Sequence, residues 1–103
     1  MSQKLEVFSS EDRMVREYQV TGFACRNLAQ WALAHFGDRT DPHAYTRLVI
    51  SLSNTGQDVA IHKIYQDLKN CGFTYREEAV WRMYERYRLE GERHYPSALT
   101  FAA

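Results

Sequence analysis

Apolar residues recur along this chain at steps of three and four, the period of an α-helix that buries one face. In "EDRMVREYQVTGFACRNLAQWALAHFG", residues 11–37, the positions that keep this step are Val15, Tyr18, Leu28, Trp31, Ala32 and Phe36. Ser9 or Ser10 can cap its start, Glu11 and Asp12 suit the positive end of the helix dipole, and Gly37 can close it. Gly22, beside β-branched Val20 and Thr21, invites a kink or a break into two helices. "DPHAYTRLVISLSNTG" begins with Asp41 as a cap and Pro42 at the first helical position. Ala44, Tyr45, Leu48, Val49 and Leu52 make its stripe and Asn54-Thr55-Gly56 stop it, although "RLVISL" also reads as a strand. Asp58 can cap a third helix with Ile61, Ile64, Tyr65 and Leu68 inside and Gly72 as the exit. Thr74 with Glu77 three residues on spells a capping box for a last helix to about Leu89, with Gly91 beyond it.

The pattern predicts one all-α domain over residues 1–103, a small bundle of four to five helices. Residues 1–8, where Leu5 and Val7 alternate with polar neighbours, read as an N-terminal arm, and residues 92–103 as an irregular tail. At 103 residues there is room for one modest core, and 45% apolar and 14% aromatic residues can fill it. No apolar run approaches the roughly 18 residues that span a bilayer, and the first residues lack the apolar stretch of a secretory signal. Cys25 and Cys71 stand far apart with no metal or redox spacing, so each is expected as a small buried apolar residue. These features predict a cytoplasmic protein with no membrane partner.

Charge narrows the function. Thirteen basic and thirteen acidic side chains cancel, and both halves of the chain are close to neutral. A protein that coats nucleic acid by bulk charge carries a basic excess, so any basic surface here must come from how charges sort onto faces. They do sort in the last helix. At about 100° per residue, Ala79, Val80, Met83, Tyr84 and Tyr87 gather in one sector, Tyr75, Arg82 and Arg86 on one flank, and Glu78 and Glu85 on the far side. Arg93 would join the basic flank if the helix continued that far.

The segment "KIYQDLKNCGFTYREEAVWRMYERYR", residues 63–88, reads as helix, glycine turn, helix. Ile61, Ile64 and Leu68 supply the first packing face, Gly72 permits a left-handed turn, and Phe73 is placed to fasten the turn to the core. The segment 61–88 resembles the helix-turn-helix of transposase and resolvase-like DNA-binding proteins, with the pattern I-x-x-x-L-x-x-x-G-[FY]-T-x-x-x-x-x-V-x-R. Ile64, Leu68, Gly72, Phe73, Thr74, Val80 and Arg82 hold its places. Glu77 and Glu78 depart from it, since such families more often carry serine, threonine or a base there. The resemblance implies DNA binding and not strand transfer.

Nothing else in the chain announces chemistry. His35, His43, His62 and His94 lie in separate segments without metal-ligand spacing, and Ser51 and Ser53 lack a nucleophile elbow. Cys25 has Arg26 beside it but no nearby histidine in sequence, and there is no glycine-rich phosphate loop. The expectation is a non-enzyme with no metal and no cofactor. In the DNA-binding reading, residues 59–72 are the supporting helix and 74–90 the recognition helix of a transcriptional regulator. Tyr75, Arg76, Arg82 and Arg86 contact double-stranded DNA, and Lys63 and Lys69 hold phosphates. Trp81, and Trp31 within the face of residues 25–36, are candidates for a protein interface, first of all that of a homodimer. The alternative is a helical adaptor or inhibitor that docks its aromatic and charged faces on a partner protein without binding DNA; neutral charge and Glu77/Glu78 favour it.

Overall fold

The computed structural model describes residues 10–37 and 40–96. Over these residues the chain is helical with no strand, and it has four helices: α1 (Ser10–Leu33), α2 (Pro42–Thr55), α3 (Gln57–Asn70) and α4 (Glu77–His94). The arm at residues 1–8, the Ser9 cap and residues 97–103 of the tail lie outside the described residues.

α1 runs unbroken through Gly22, so the break considered there does not occur. Twenty-four residues at about 1.5 Å each make a rod roughly 36 Å long. It ends at Leu33, ahead of Gly37, with Ala34, His35 and Phe36 closing a turn through backbone bonds to Gln30, Ala32 and Leu33. α2 starts as expected: Asp41 accepts hydrogen bonds from the His43 and Ala44 backbone N–H groups at 3.0 and 3.3 Å, and Pro42 follows it. "RLVISL" is helix, with α2 packed against both α1 and α3 and Val49 fully buried between them. A single residue, Gly56, turns the chain from α2 into α3. It takes the cap position assigned to Asp58, which sits instead in the first turn.

Successive helices run antiparallel, and so do α1 and α4, which meet at Trp31–Phe73 near one end and Arg16–Tyr95 near the other. α1 meets α4 most extensively, α2 next and α3 least, and α2 and α3 form a tight hairpin. Val20, Ala24, Cys25, Leu28, Ala29 and Ala32 of α1 are fully buried with Val49, Ala60, Ile61, Ile64, Leu68, Val80 and Tyr84. Each larger aliphatic side chain in this set contributes about 1.5–3 kcal/mol by leaving water. Small residues on α1 let its neighbours come close. Gly91 does the same on α4, where an added Cβ would stand 3.1 Å from the Phe23 ring and 3.3 Å from the Val20 carbonyl oxygen. Gly91 is therefore a buried packing position inside the helix, and α4 continues four residues past Glu90 to His94. Gly22 is the opposite case. Its backbone is helical, an added Cβ would meet nothing within 4 Å, and glycine there costs about 0.5–1 kcal/mol of helix stability relative to alanine.

A polar seam lies along the α1–α4 contact. Arg88 grips Glu17 with both ends of its guanidinium, at 2.6 and 3.1 Å, and reaches the Thr21 hydroxyl at 3.3 Å. That bidentate grip holds the Glu17 carboxyl below its ordinary value of 4.5. Arg16 donates to the Tyr95 carbonyl at 2.8 Å and ties down the end of α4. Beside this seam the Tyr84 hydroxyl is buried with no hydrogen-bond partner among the described residues. Arg88 and Thr21 are its near polar neighbours, but the guanidinium is committed to Glu17.

Two outcomes follow for stability. Tyr84→Phe removes an unsatisfied buried hydroxyl without opening a cavity, so denaturant unfolding should show a change between zero and a gain of about 1 kcal/mol; a loss of 2 kcal/mol or so would mean that the hydroxyl has a partner. A depressed carboxyl contributes stability that is present above its unfolded-state value and lost as pH falls through the folded one. Because Glu17 is half exposed, Glu17→Gln should cost no more than about 1 kcal/mol at neutral pH and nothing near about pH 2. Unfolding curves at the two pH values measure the difference.

Candidate nucleic-acid interface

The connection from α3 to α4 spans Cys71–Arg76. This is longer than the three or four residues usual in a helix-turn-helix, and α4 lies mainly along α1. Gly72 has φ +91°, the left-handed conformation that its place in the turn requires. Phe73 folds back as expected: its backbone N–H bonds to the Leu68 carbonyl at 3.0 Å, and its ring meets Trp31 edge-on at 5.9 Å and His35 at 5.7 Å.

The Thr74 capping box does not form. Arg76 takes the cap position without a side-chain bond, and α4 begins at Glu77. Glu77 and Glu78 stabilise this uncapped start by their charge at the positive end of the dipole. Glu77 does not reach back to its own helix start; its carboxylate lies 2.8 Å from His62 Nδ1 and so joins α4 to α3.

The basic face is longer than the sequence suggested. Because α4 continues to His94, Arg93 joins Arg82 and Arg86 on the outward side. The three Cα directions fall within about 40° of one another and opposite Val80, Tyr84 and Gly91, over a length of about 16 Å. All three side chains are exposed, and among the described residues only Arg86 has an acidic partner, Glu90 at 3.7 Å. Arg76 and Tyr75 are exposed where the chain enters α4. Tyr75 lies in the turn, outside the helix, with its ring 5.1 Å from Phe73 and 67% of its surface open.

The remaining candidates separate from this face. Lys69 is exposed at the last turn of α3, within the same connection. Lys63 bonds Asp67 at 3.0 Å, and Asp67 in turn accepts from the buried Tyr45 hydroxyl at 2.8 Å. The lysine is thus committed to the α2–α3 hairpin. Burial and the Asp67 carboxylate both push the Tyr45 hydroxyl well above the ordinary tyrosine range. Trp81 is half-buried against its own core, with Tyr84 edge-on at 6.1 Å. Trp31 is half-buried beneath Phe73 and His35. Among the apolar side chains left open, Met14, Val15 and Tyr18 of α1 are 68%, 58% and 68% exposed, and Leu89 of α4, 57% exposed, lies within the arginine row, about 20° from Arg82. Cys25 is buried, which raises its thiol above the ordinary range, whereas Cys71 is exposed, contrary to expectation.

Among the described residues no cluster of three or more histidine, cysteine or acidic side chains is placed to hold a metal ion, and no helix is long and apolar enough to cross a membrane. The chain matches no protein-family model, no curated protein and no solved structure.

Proposed function

We propose that this chain is a small DNA-binding protein that acts by occupying a site, as a transcriptional regulator does, without chemistry of its own. The observation that supports this most is the outward row of Arg82, Arg86 and Arg93 on a helix whose other side is fixed in the core. Arginine's planar fork suits both phosphate oxygens and the guanine edge. A row about 16 Å long exceeds the roughly 12 Å width of the major groove, so its ends can reach phosphates while its middle faces bases. Tyr75, Arg76 and Lys69 extend the contact around the start of α4. Lys63, engaged with Asp67, plays at most a minor part.

One observation favours the second reading, a helical adaptor that docks on a partner protein. Glu77 and Glu78 occupy the first turn of α4, where a DNA reader's helix end meets the nucleic acid, and carboxylates there repel phosphate.

Fluorescence anisotropy with a labelled random duplex, at low and moderate salt, separates the two. DNA binding predicts micromolar affinity that weakens steeply with salt. Arg82→Ala with Arg86→Ala should then lower affinity at least about tenfold and reduce the log–log salt slope by about two, with helicity unchanged by circular dichroism. No binding by the native chain at low salt overturns the reading in favour of the adaptor.

A further inference from the structure

Gly22 is not explained by the fold of one chain. Its backbone is ordinary helix and a Cβ would touch nothing, so neither conformation nor internal packing calls for glycine. What the missing side chain does create is an opening. Gly22 lies in a crevice of about 240 Å³ between α1 and the end of α2, where Tyr18, Ile50 and Tyr95 stand beside the polar Gln19, Thr21, Arg26, Ser53 and Asn54. One turn and two turns toward the N-terminus, exposed Tyr18, Val15 and Met14 continue the same side of α1 as an apolar strip. A glycine that weakens its own helix and opens a crevice at the end of an exposed apolar strip is the pattern of a close helix crossing.

We infer that the occupant is a second copy of this chain, whose α1 crosses antiparallel over this one at Gly22. The spacing makes the face complementary to itself. Tyr18 and Arg26 stand four residues to either side of Gly22, on its face of the helix, and both are exposed. A two-fold axis through the paired glycines therefore lays each Tyr18 ring against the other copy's Arg26, a cation–π contact made twice. Between Met14 and Arg26 this side of α1 carries Val15, Tyr18, Gln19 and Gly22, none of them charged, so nothing on the strip repels its own image. The area sets the strength. The strip from Met14 to Arg26, about 18 Å long and about 10 Å wide, offers about 200 Å² per copy, well below the roughly 800 Å² of a standard interface. The dimer is accordingly weak, with dissociation in the micromolar range or above. This gives the homodimer of the proposed regulator a specific surface, distinct from Trp31 and Trp81, and it is tested without DNA so that either idea can fail alone.

Sedimentation equilibrium of the full chain over a concentration series from low to several hundred micromolar measures it. The native chain should follow a monomer–dimer equilibrium. Gly22→Ala should raise the thermal midpoint of the monomer and weaken the dimer severalfold, two effects of opposite sign from one methyl group. Tyr18→Lys should weaken the dimer about tenfold through like-charge repulsion, and adding Arg26→Glu should restore it to within about threefold. The two positions are about 12 Å apart along one helix, so the rescue reports a contact between copies. A monomer at every concentration overturns the inference. So does a dimer indifferent to Gly22→Ala and Tyr18→Lys, or one that the second substitution fails to restore.

Discussion

The antiparallel contact between α1 and α4 is the constraint on which the other arrangements depend. α1 lies against each of the other three helices, and its fully buried positions run from Val20, near its middle, to Ala32. Leu28, Ala29 and Ala32 face the α2–α3 hairpin and its core, while Val20 and Phe23 receive Gly91. Toward its N-terminal half the bundle thins to two helices, and apolar burial gives way to the Glu17–Arg88–Thr21 seam and the Arg16–Tyr95 tie. Polar contacts serve there because each is partly open to water, where an ion pair is cheap to form and modest in strength. The buried Tyr84 hydroxyl sits where the apolar core ends and the polar seam begins, and among the described residues it is left without a partner.

That thinning shapes both candidate surfaces. Because α4 buries Val80, Tyr84 and Gly91 against α1 along its whole length, its opposite side is held rigidly outward, and Arg82, Arg86 and Arg93 are aligned without needing contacts of their own. Because α2 ends beside Gly22, the N-terminal half of α1 has no third helix to cover Met14, Val15 and Tyr18. One surface carries an arginine row among glutamates and the other is nearly uncharged, and the antiparallel α1–α4 pair carries both.

The fold was largely legible because helical period, Pro42, Asp41, Gly56 and Gly72 act locally and the sequence displays them. What failed were inferences that needed a neighbour. Gly22 and Gly91 both looked like interruptions; one lies at an open face and the other under Phe23, and no local pattern distinguishes a glycine that ends a helix from one that lets another helix approach. Thr74 and Glu77 have capping-box spacing, but Glu77 is drawn to His62 on α3 and the helix starts three residues later. Arg93 was visible as a conditional member of the basic face, and its condition turned on Gly91. A readable signal for the longer helix was present: Arg93 and His94 suit the negative end of a helix dipole, and Pro96 is the true stop. Arg88 carried no such signal, since its seventy-one-residue reach to Glu17 is purely tertiary.

The acidic start of α4 bears on how such a helix could lie on DNA. Glu77 and Glu78 favour the helix by facing its positive end, but the same charges oppose phosphates brought to that end. Glu77 is half answered by His62, while Glu78 stands exposed without a salt bridge among the described residues. The arginines begin one turn further on, at Arg82, and their row continues away from the acidic end to Arg93. An end-on approach would set both carboxylates against the backbone, whereas a flank-on approach brings the arginine row to it with Glu78 at the row's N-terminal edge, one turn before Arg82. For a chain of zero net charge that geometry decides the sign of the interaction. On the proposed reading, Glu77 and Glu78 weigh against presentation of α4 by its N-terminal end, and the arginine row favours presentation by its flank.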